Sequence, residues 1–466
     1  MTSPSTPTPT PTPLANAAIS IAVLGGGPAG TTTALGLVRL GYAVTLFTAP
    51  RRFDALEGVS DRVAESLRQN GLSATRRTLA QPSPRRVMWR NQVNAPNHES
   101  LIFRPDFDAA LLQDARAAGV RVVEAQVGQW TKLEPSDLRG KIAVDFSTDG
   151  KDAQFFADFV VEARGRAAPL PPSRIRGPET VSLLQYWRPR YAAAEVLPRS
   201  AVQSFADGWA WVAVAANARR YLQLTFDVAS IDLPDKAQLG DFCRSRLETL
   251  SFATEFIANA EPEGPPYARN CTSILADDIA NDYSLRVGDA AVAGDPLSGN
   301  GIFLALSSAL QAPAVINTLL HYPERAALAK SFHTQRLTGL FYRFARIGRD
   351  FYALEDQWPD APFWRTRRHW PDTEPLHRRV TPDTVTIAQC PVINHDEIIE
   401  AEVVITPDNP LGIWRMDNIE LSPMLKTIQH ANNDGQAQQE LVKLLDCPPQ
   451  RAAQLLLRMR QQGWVK

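Results

Sequence analysis

Residues 21–47 read IAVLGGGPAGTTTALGLVRLGYAVTLF. The apolar run 21–24 predicts a buried strand. Gly25, Gly27 and Gly30 follow it in G-x-G-x-x-G spacing, with Pro28 and Ala29 inside the motif. Small and apolar residues over 29–40 predict a helix, Gly41 ends it, and 43–47 predict a second strand. Each glycine has a physical reason. The first lets the chain turn out of the strand, the second leaves backbone N–H groups open to a pyrophosphate, and the third lets helix and strand pack closely. The pyrophosphate then sits on the helix N-terminus, where unpaired N–H groups and the helix dipole favour negative charge. A merely glycine-rich turn would lack the flanking strand, helix and strand, and here all three stand in order. The end of the second strand, where an Asp or Glu usually holds ribose hydroxyls, is Thr48, followed by Arg51 and Arg52. Thr48 bonds a hydroxyl more weakly than a carboxylate does, and the two arginines suit a phosphate.

The chain has 466 residues and a formal net charge of −1. That length predicts two or three domains, and the near-neutral balance gives no basic field for nucleic acid or an anionic membrane. Cys243, Cys271, Cys390 and Cys447 form no C-x-x-C pair, which fits reduced thiols in a cytoplasmic protein better than disulfides or zinc. The seven histidines show no ligand spacing, so no metal site is expected. No unbroken apolar run reaches the roughly 18 residues of a membrane span. Residues 1–17 are rich in Pro and Thr, lack the basic and apolar regions of a signal peptide, and predict an extended, disordered arm.

Beyond the first unit, Ser60 and Asp61 are placed to cap a helix carrying Val63 and Leu67, with Glu57 and Gly58 in the loop before it. Residues 74–99 are polar, Arg-rich and weakly patterned apart from a strand at Met88 and Trp89. A helix from Asp106 or Asp108 stops at Gly119, and a strand over 121–127 ends at Val127. Arg104 precedes that helix. Residues 142–156 predict a hairpin around Asp149 and Gly150, and 159–163 another strand. Over 171–275 the pattern turns to aromatic-rich strands, LLQYWRP from Leu183, GWAWVAV from Gly208 and YLQLTF from Tyr221, with one helix over 239–250. A strand within 283–292 returns to the first sheet, and a Gly-rich loop and a long apolar helix follow. Residues 376–466 predict short strands near 384–388 and 401–405, then helices over 423–430, 436–445 and 449–461. The expected fold class is α/β: a Rossmann-like domain from 18–170 and 276–375, an inserted antiparallel-sheet substrate domain over 171–275, and a small C-terminal winged-helix-like α+β module over 376–466.

Three separated motifs carry a family resemblance: GGGPAG over 25–30, VVEARG over 160–165 and VGDAAVAGDPLSGNGI over 287–302. The second resembles a V-V-D-A-T-G strand end, with Glu162 and Arg164 as departures. The third resembles the G-D…D-P…G-x-G that closes a flavin site. Together they resemble the FAD-dependent monooxygenases with a single dinucleotide domain, the group of aromatic hydroxylases and tryptophan halogenases, over roughly residues 18–355. The resemblance implies FAD as cofactor. It implies that Gly288 and Asp289 meet ribityl or pyrophosphate-side hydroxyls and that Pro296 lies near the ring where oxygen adds. Gly299, Asn300, Gly301 and Ile302 then aim N–H groups at the flavin N1 and O2 edge, where negative charge develops on reduction. Arg104, for the phosphates or ribityl chain, and Val127 are further cofactor-side candidates. No general base is implied, because a flavin C4a-hydroperoxide carries the hard step.

GWAW over 208–211 resembles the G-W-x-W of tryptophan halogenases, and reads equally as two core tryptophans on one strand face. Such halogenases need a lysine soon after the first β-α-β unit, and the first lysine here is Lys132. With EGVS over 57–60 and the C-terminal module, the chain is more similar to the flavoproteins that mature tryptophylquinone enzymes, beside quinohemoprotein amine dehydrogenase. That resemblance implies hydroxylation of a tryptophan inside a protein substrate, with O2 and electrons from NAD(P)H or a separate flavin reductase. Trp209, Trp211 and Glu57 are the substrate-side candidates; no catalytic residue is assigned. Three other readings stay open. One is a small-molecule aromatic hydroxylase, another a flavin-dependent halogenase. The third is a flavin-bound regulator using Arg451, Arg458 and Arg460 on DNA, a charge diluted by Glu440 and Asp446. A protein is the expected partner of the C-terminal module, and neither nucleic acid nor membrane is expected.

Overall fold

Ile21, Ala22, Val23 and Leu24 are completely buried in the computed structural model. Their strand, Ser20–Leu24, is therefore covered on both faces, as a continuous apolar run in a parallel sheet requires. It pairs in parallel with Ala43–Thr48 on one side, Ile21 opposite Val44, and with Phe159–Glu162 on the other, Ile21 opposite Phe159. Across the sheet the order is Ser284–Arg286, Phe159–Glu162, Ser20–Leu24, Ala43–Thr48, Arg121–Glu124. Strand order reverses at Ser20–Leu24, and open sheets of this kind form a crevice beyond the carboxyl end of the strand at that reversal.

The structure describes residues 19–134, 141–171, 173–191 and 196–466, so the arm expected over 1–17 lies outside the described residues. The chain divides into a first unit, Met1–Pro313 with Gly348–Trp370, and a second, Ala314–Ile347 with Pro371–Lys466.

In the first unit the strand expected over 121–127 is two strands. Ala125 N–H still donates to the Thr48 carbonyl at 2.8 Å. Gln126–Lys132 then leaves the parallel sheet and pairs with the hairpin Ile142–Thr148 and Lys151–Ala157. Asp149 and Gly150 turn that hairpin with φ of 50° and 74°, the left-handed values that an Asp-Gly turn supplies.

A second sheet has eight strands among the described residues, in the order Ala260–Asn270, Thr180–Pro189, Arg220–Asp227, Gly208–Val214, Arg199–Phe205, Ser83–Trp89, Gln92–Phe103, Leu56–Val59. Neighbours are antiparallel except Arg199–Phe205 with Ser83–Trp89. Two of its strands come from the weakly patterned stretch 74–99. Arg85 and Arg86 occupy successive positions there, so both faces carry charge and the period of two is hidden. Elsewhere the alternation is strict. Ala210, Val212, Leu222 and Leu224 face the helices Leu239–Glu248 and Ser251–Ile257, two helices where one was expected. Trp209, Trp211, Leu184, Tyr186 and Tyr221 face the opposite way.

No unbroken apolar run reaches about 18 residues, yet the helix Gly301–His321, with a mean hydropathy of 1.5, is long and apolar enough by composition to cross a membrane. Ser307, Ser308, Gln311 and Asn317 interrupt it without lowering the mean far. Of its apolar window 78% is buried, which is also the mark of a core helix.

The second unit carries an antiparallel sheet, Thr386–Asn394, Glu397–Thr406 and Asn409–Ile413, followed by three helices, Leu421–His430, Asp434–Leu445 and Pro449–Gln461. Leu421, Met424, Leu425, Leu441, Leu455 and Met459 form its core. Arg451 and Arg458 pair with Asp417 at 2.9 and 3.1 Å, and Arg460 pairs with Asp434.

Candidate functional site

Gly25 leaves the first strand with φ +121°, and a Cβ built on it would lie 2.3 Å from the Ala163 carbonyl oxygen. A Cβ on Gly30 would lie 1.9 Å from the Gly25 carbonyl oxygen. Both glycines therefore exist to let backbone meet backbone. Gly27 differs. Nothing lies within 4 Å of its built Cβ. It caps the helix Pro28–Arg39 with no side-chain hydrogen bond, and Pro28 brings no N–H. The donors that an α-helix leaves without an intrahelical partner at this end belong to Gly27, Ala29 and Gly30. Thr48 sits beside the turn: its Oγ1 is 2.5 Å from a Cβ built on Gly26.

The second motif meets the first through Ala163. Its two departures form a pair: Arg164 donates to Glu162 at 2.6 and 2.9 Å and to the Gly128 carbonyl at 2.7 Å. Glu162 is buried, so a charged pair holds this turn. Val127, on the separate small sheet, accepts a long 3.4 Å bond from Arg164 through its carbonyl.

The third motif closes on both. A Cβ on Gly288 would lie 2.7 Å from that of Ala29, and one on Gly165 would lie 3.8 Å from that of Asp289. Gly288 N–H donates to Ser308 Oγ at 2.7 Å, which ties this turn to the helix Gly301–His321. Arg166 stands 3.6 Å from Asp289. Further on, Asp295 accepts from Leu297 N–H at 2.9 Å, Pro296–Ser298 forms a short 3-10 turn, and Gly299 follows with φ 62°. Asn300 donates through its amide to the Ser298 carbonyl at 2.6 Å. Gly301 has open space around its Cα and begins the long helix, and Ile302 is buried within it.

Arg104 is buried and spends its guanidinium on protein carboxylates, Glu57 at 3.1 Å and Asp108 at 2.7 Å. Asp108 also holds Arg51 at 2.5 Å, and Arg269 stands 3.8 Å from Glu57. Burial alone would raise the Glu57 carboxyl; Arg104, Arg269 and Arg51 outweigh it and hold Glu57 at about 2.

Trp209 and Trp211 are both buried. Trp209 Nε1 donates to Tyr352 Oη at 3.2 Å, and Tyr352 donates to Asp295 at 3.0 Å. The tryptophan strand is thus wired to the residue that caps the Pro296 turn. Burial pushes the Asp295 carboxyl up, partly offset by Arg367 and the two hydrogen bonds it accepts. Trp211 Nε1 donates to Glu99 at 3.3 Å, and Ser200 Oγ donates to the same carboxylate.

A solved structure of QhpG, a peptidyl tryptophan dihydroxylase essential for tryptophylquinone cofactor biogenesis, is 46% identical to this chain, with a TM-score of 0.80 over 96% of this chain and 99% of that one. The chain belongs to the family of that dihydroxylase. It is an FAD-dependent oxidoreductase of the halogenase-like flavoprotein group. The flavin-dependent halogenase CmlS shares the fold, with a TM-score of 0.72 at 18% identity over 96% of this chain and 95% of its own. A tryptophan 2-halogenase of Chondromyces crocatus is 24% identical over 388 residues, 75% of this chain and 70% of the halogenase. No protein-family model matches the chain.

The residues present fit FAD. Gly25 and Gly30 are closed by backbone, whereas Gly27 and Gly301 are open, each at the start of a helix whose first N–H groups need acceptors. Sequence reading located these turns because glycine spacing is local. It missed Glu99, Asp295 as a cap and Tyr352. No spacing marks them, and only the glycine at 58 hinted at a close neighbour: a Cβ there would lie 2.2 Å from the Glu99 carboxylate.

Proposed function

We propose that this chain hydroxylates a tryptophan side chain of a protein partner during tryptophylquinone biogenesis, using FAD, O2 and electrons from NAD(P)H or a separate reductase. The observation that carries the reading is the likeness to a peptidyl tryptophan dihydroxylase along nearly the whole of both chains. Bound FAD supplies the oxygen-transfer chemistry. In each turnover two electrons and two protons reduce one atom of O2 to water while the other enters a C–H bond of the indole ring, leaving a hydroxyl group where the hydrogen was.

The chain's own work is to bind, orient and exclude water. In this reading the N–H groups of Gly27, Ala29 and Gly30 receive the pyrophosphate, and Thr48 Oγ1 receives a ribose hydroxyl. Asp289 accepts from hydroxyls on the ribityl side. The N–H groups at 299–302 face the pyrimidine edge, with Pro296 on the ring face beside them. Arg104 acts indirectly, by fixing Glu57 and Asp108 at the edge of the site. Trp209 and Trp211 stiffen the wall through Tyr352 and Glu99. Lys132, the first lysine of the sequence, stacks over Tyr283 at 4.7 Å on the small hairpin sheet, which supports oxygen rather than halogen transfer. The pairing of Arg451, Arg458 and Arg460 with carboxylates supports a protein rather than DNA as the module's partner. Free thiols at Cys243 and Cys271 fit work in the cytoplasm.

Co-expression with a tryptophylquinone precursor protein, followed by intact-mass and peptide mass spectrometry, tests the proposal. Oxygen added to one tryptophan, dependent on this chain, is the expected result. Chlorine in place of oxygen would establish the halogenase reading. An unmodified partner beside turnover of free aromatic metabolites would establish the small-molecule one.

A further inference from the structure

The face of the large sheet that carries Trp209 and Trp211 also carries an ion pair with no part in the cradle described so far. On the strand Ser83–Trp89, Arg85 shares its face with Val87 and Trp89, which pack with those tryptophans. A Cβ built on Gly299 would lie 3.2 Å from Arg85 Nη1, so the guanidinium reaches the turn that opens the helix Gly301–His321. Arg85 Nε is buried and has no hydrogen-bond partner among the described residues. Its carboxylate neighbour, Glu99 Oε2, stands at 3.8 Å, close enough for charge but too far for a hydrogen bond.

Glu99 itself is held fast. Ser200 and Trp211 donate to one of its oxygens, and the missing side chain of Gly58 makes room for the other. Gly58 of EGVS, Trp211 of GWAW and Gly299 therefore converge on one pair, Arg85 with Glu99. Its positive end points at the turn, and its guanidinium has donors to spare.

We propose that Arg85 is a cofactor-facing residue that donates to the pyrimidine edge of FAD and adds its charge to the helix N-terminus, favouring the reduced ring, while Glu99 is a positioning residue. The proposal rests on the reading that FAD lies across the 299–302 turn. Reduction places negative charge on that edge, and a fixed cation beside it stabilises the reduced form more than the oxidised.

The test is a reductive titration of the FAD-loaded protein against a dye of known potential, with oxidised-FAD affinity measured by fluorescence. Arg85→Met should weaken reduced FAD relative to oxidised by about tenfold, a midpoint more negative by about 30 mV for a two-electron couple. Arg85→Lys, which keeps the charge, should recover most of that shift. Glu99→Gln removes the opposing charge and should move the midpoint the other way, favouring reduced FAD by about threefold. A merely structural role would not produce shifts of opposite sign. An unchanged midpoint in Arg85→Met that still binds FAD would overturn the inference and leave the flavin reading intact. Failure of the unsubstituted protein to bind FAD would overturn both.

Discussion

The first unit holds two functional surfaces built on opposite principles. The glycine cradle at the end of the parallel sheet is shaped by missing side chains: Gly25 and Gly30 let backbone meet backbone, and in the proposed reading the open N–H groups receive the cofactor. The tryptophan face of the eight-stranded sheet works by side chains that find each other over long distances. Trp209 and Tyr352 are 143 residues apart, and Trp211 and Glu99 are 112 apart. The cradle therefore leaves its mark in local spacing, and the sheet face leaves almost none.

Substitutions sharpen that contrast. Gly30→Ala places a Cβ 1.9 Å from the Gly25 carbonyl oxygen, where backbone must move. It should cost about 4 kcal/mol or more, among the largest single-site effects, read as loss of folded protein in urea unfolding.

Glu57→Gln, on the strand Leu56–Val59 at the edge of the eight-stranded sheet, should cost about 3 kcal/mol at neutral pH, because it strips Arg104 of one of its two carboxylates in a buried site. The sign with pH is fixed. The carboxyl is held at about 2, below its ordinary 4.5, so its contribution is complete above 4.5 and fades as pH falls toward 2. Unfolding of the unsubstituted protein and the variant across that range should show their difference narrowing. A constant difference would mean that Glu57 acts by packing alone.

Tyr352→Phe should cost about 1–2 kcal/mol by leaving Trp209 Nε1 without its acceptor and Asp295 with only one of its two donors, Leu297 N–H. It should also loosen the Pro296 turn that Asp295 caps, seen as faster amide exchange at Leu297. Exchange unchanged at Leu297 would separate the tryptophan strand from the turn.

Gly27→Ala should have the smallest effect on stability, within about 0.5 kcal/mol, since nothing lies near the added methyl. It should nevertheless weaken FAD binding about tenfold by filling the space over the helix end. Equal affinity in titration calorimetry would show that the pyrophosphate lies elsewhere.

Much of the fold was legible. The buried run 21–24, the helix between Gly27 and Gly41, the Asp149-Gly150 hairpin and the three C-terminal helices all follow from patterns within one element. The strand expected at Met88 and Trp89 exists, but its start at Ser83 and its partner Gln92–Phe103 were not legible, because Arg85 and Arg86 charge both faces and the strand is defined by pairing on both sides, to Gln92–Phe103 and to Arg199–Phe205. The break at Ala125 was hidden because RVVEAQV over 121–127 contains no turn residue; only the partner sheet changes. Glu162 and Arg164 read as two separate departures, and their compensation shows only once the side chains meet at 2.6 Å. The site face was least legible of all, since a carboxylate such as Glu99 is defined by Gly58, Ser200 and Trp211, none near it in sequence.

The most direct measurement supplies heavy-isotope O2 to the FAD-loaded enzyme, a reductant and the tryptophan-bearing partner protein, and locates the label by tandem mass spectrometry. Label on the indole ring of one partner tryptophan, absent when the heavy isotope is in water instead, is what this account predicts. Oxygen consumed with every tryptophan of the partner unlabelled would contradict it.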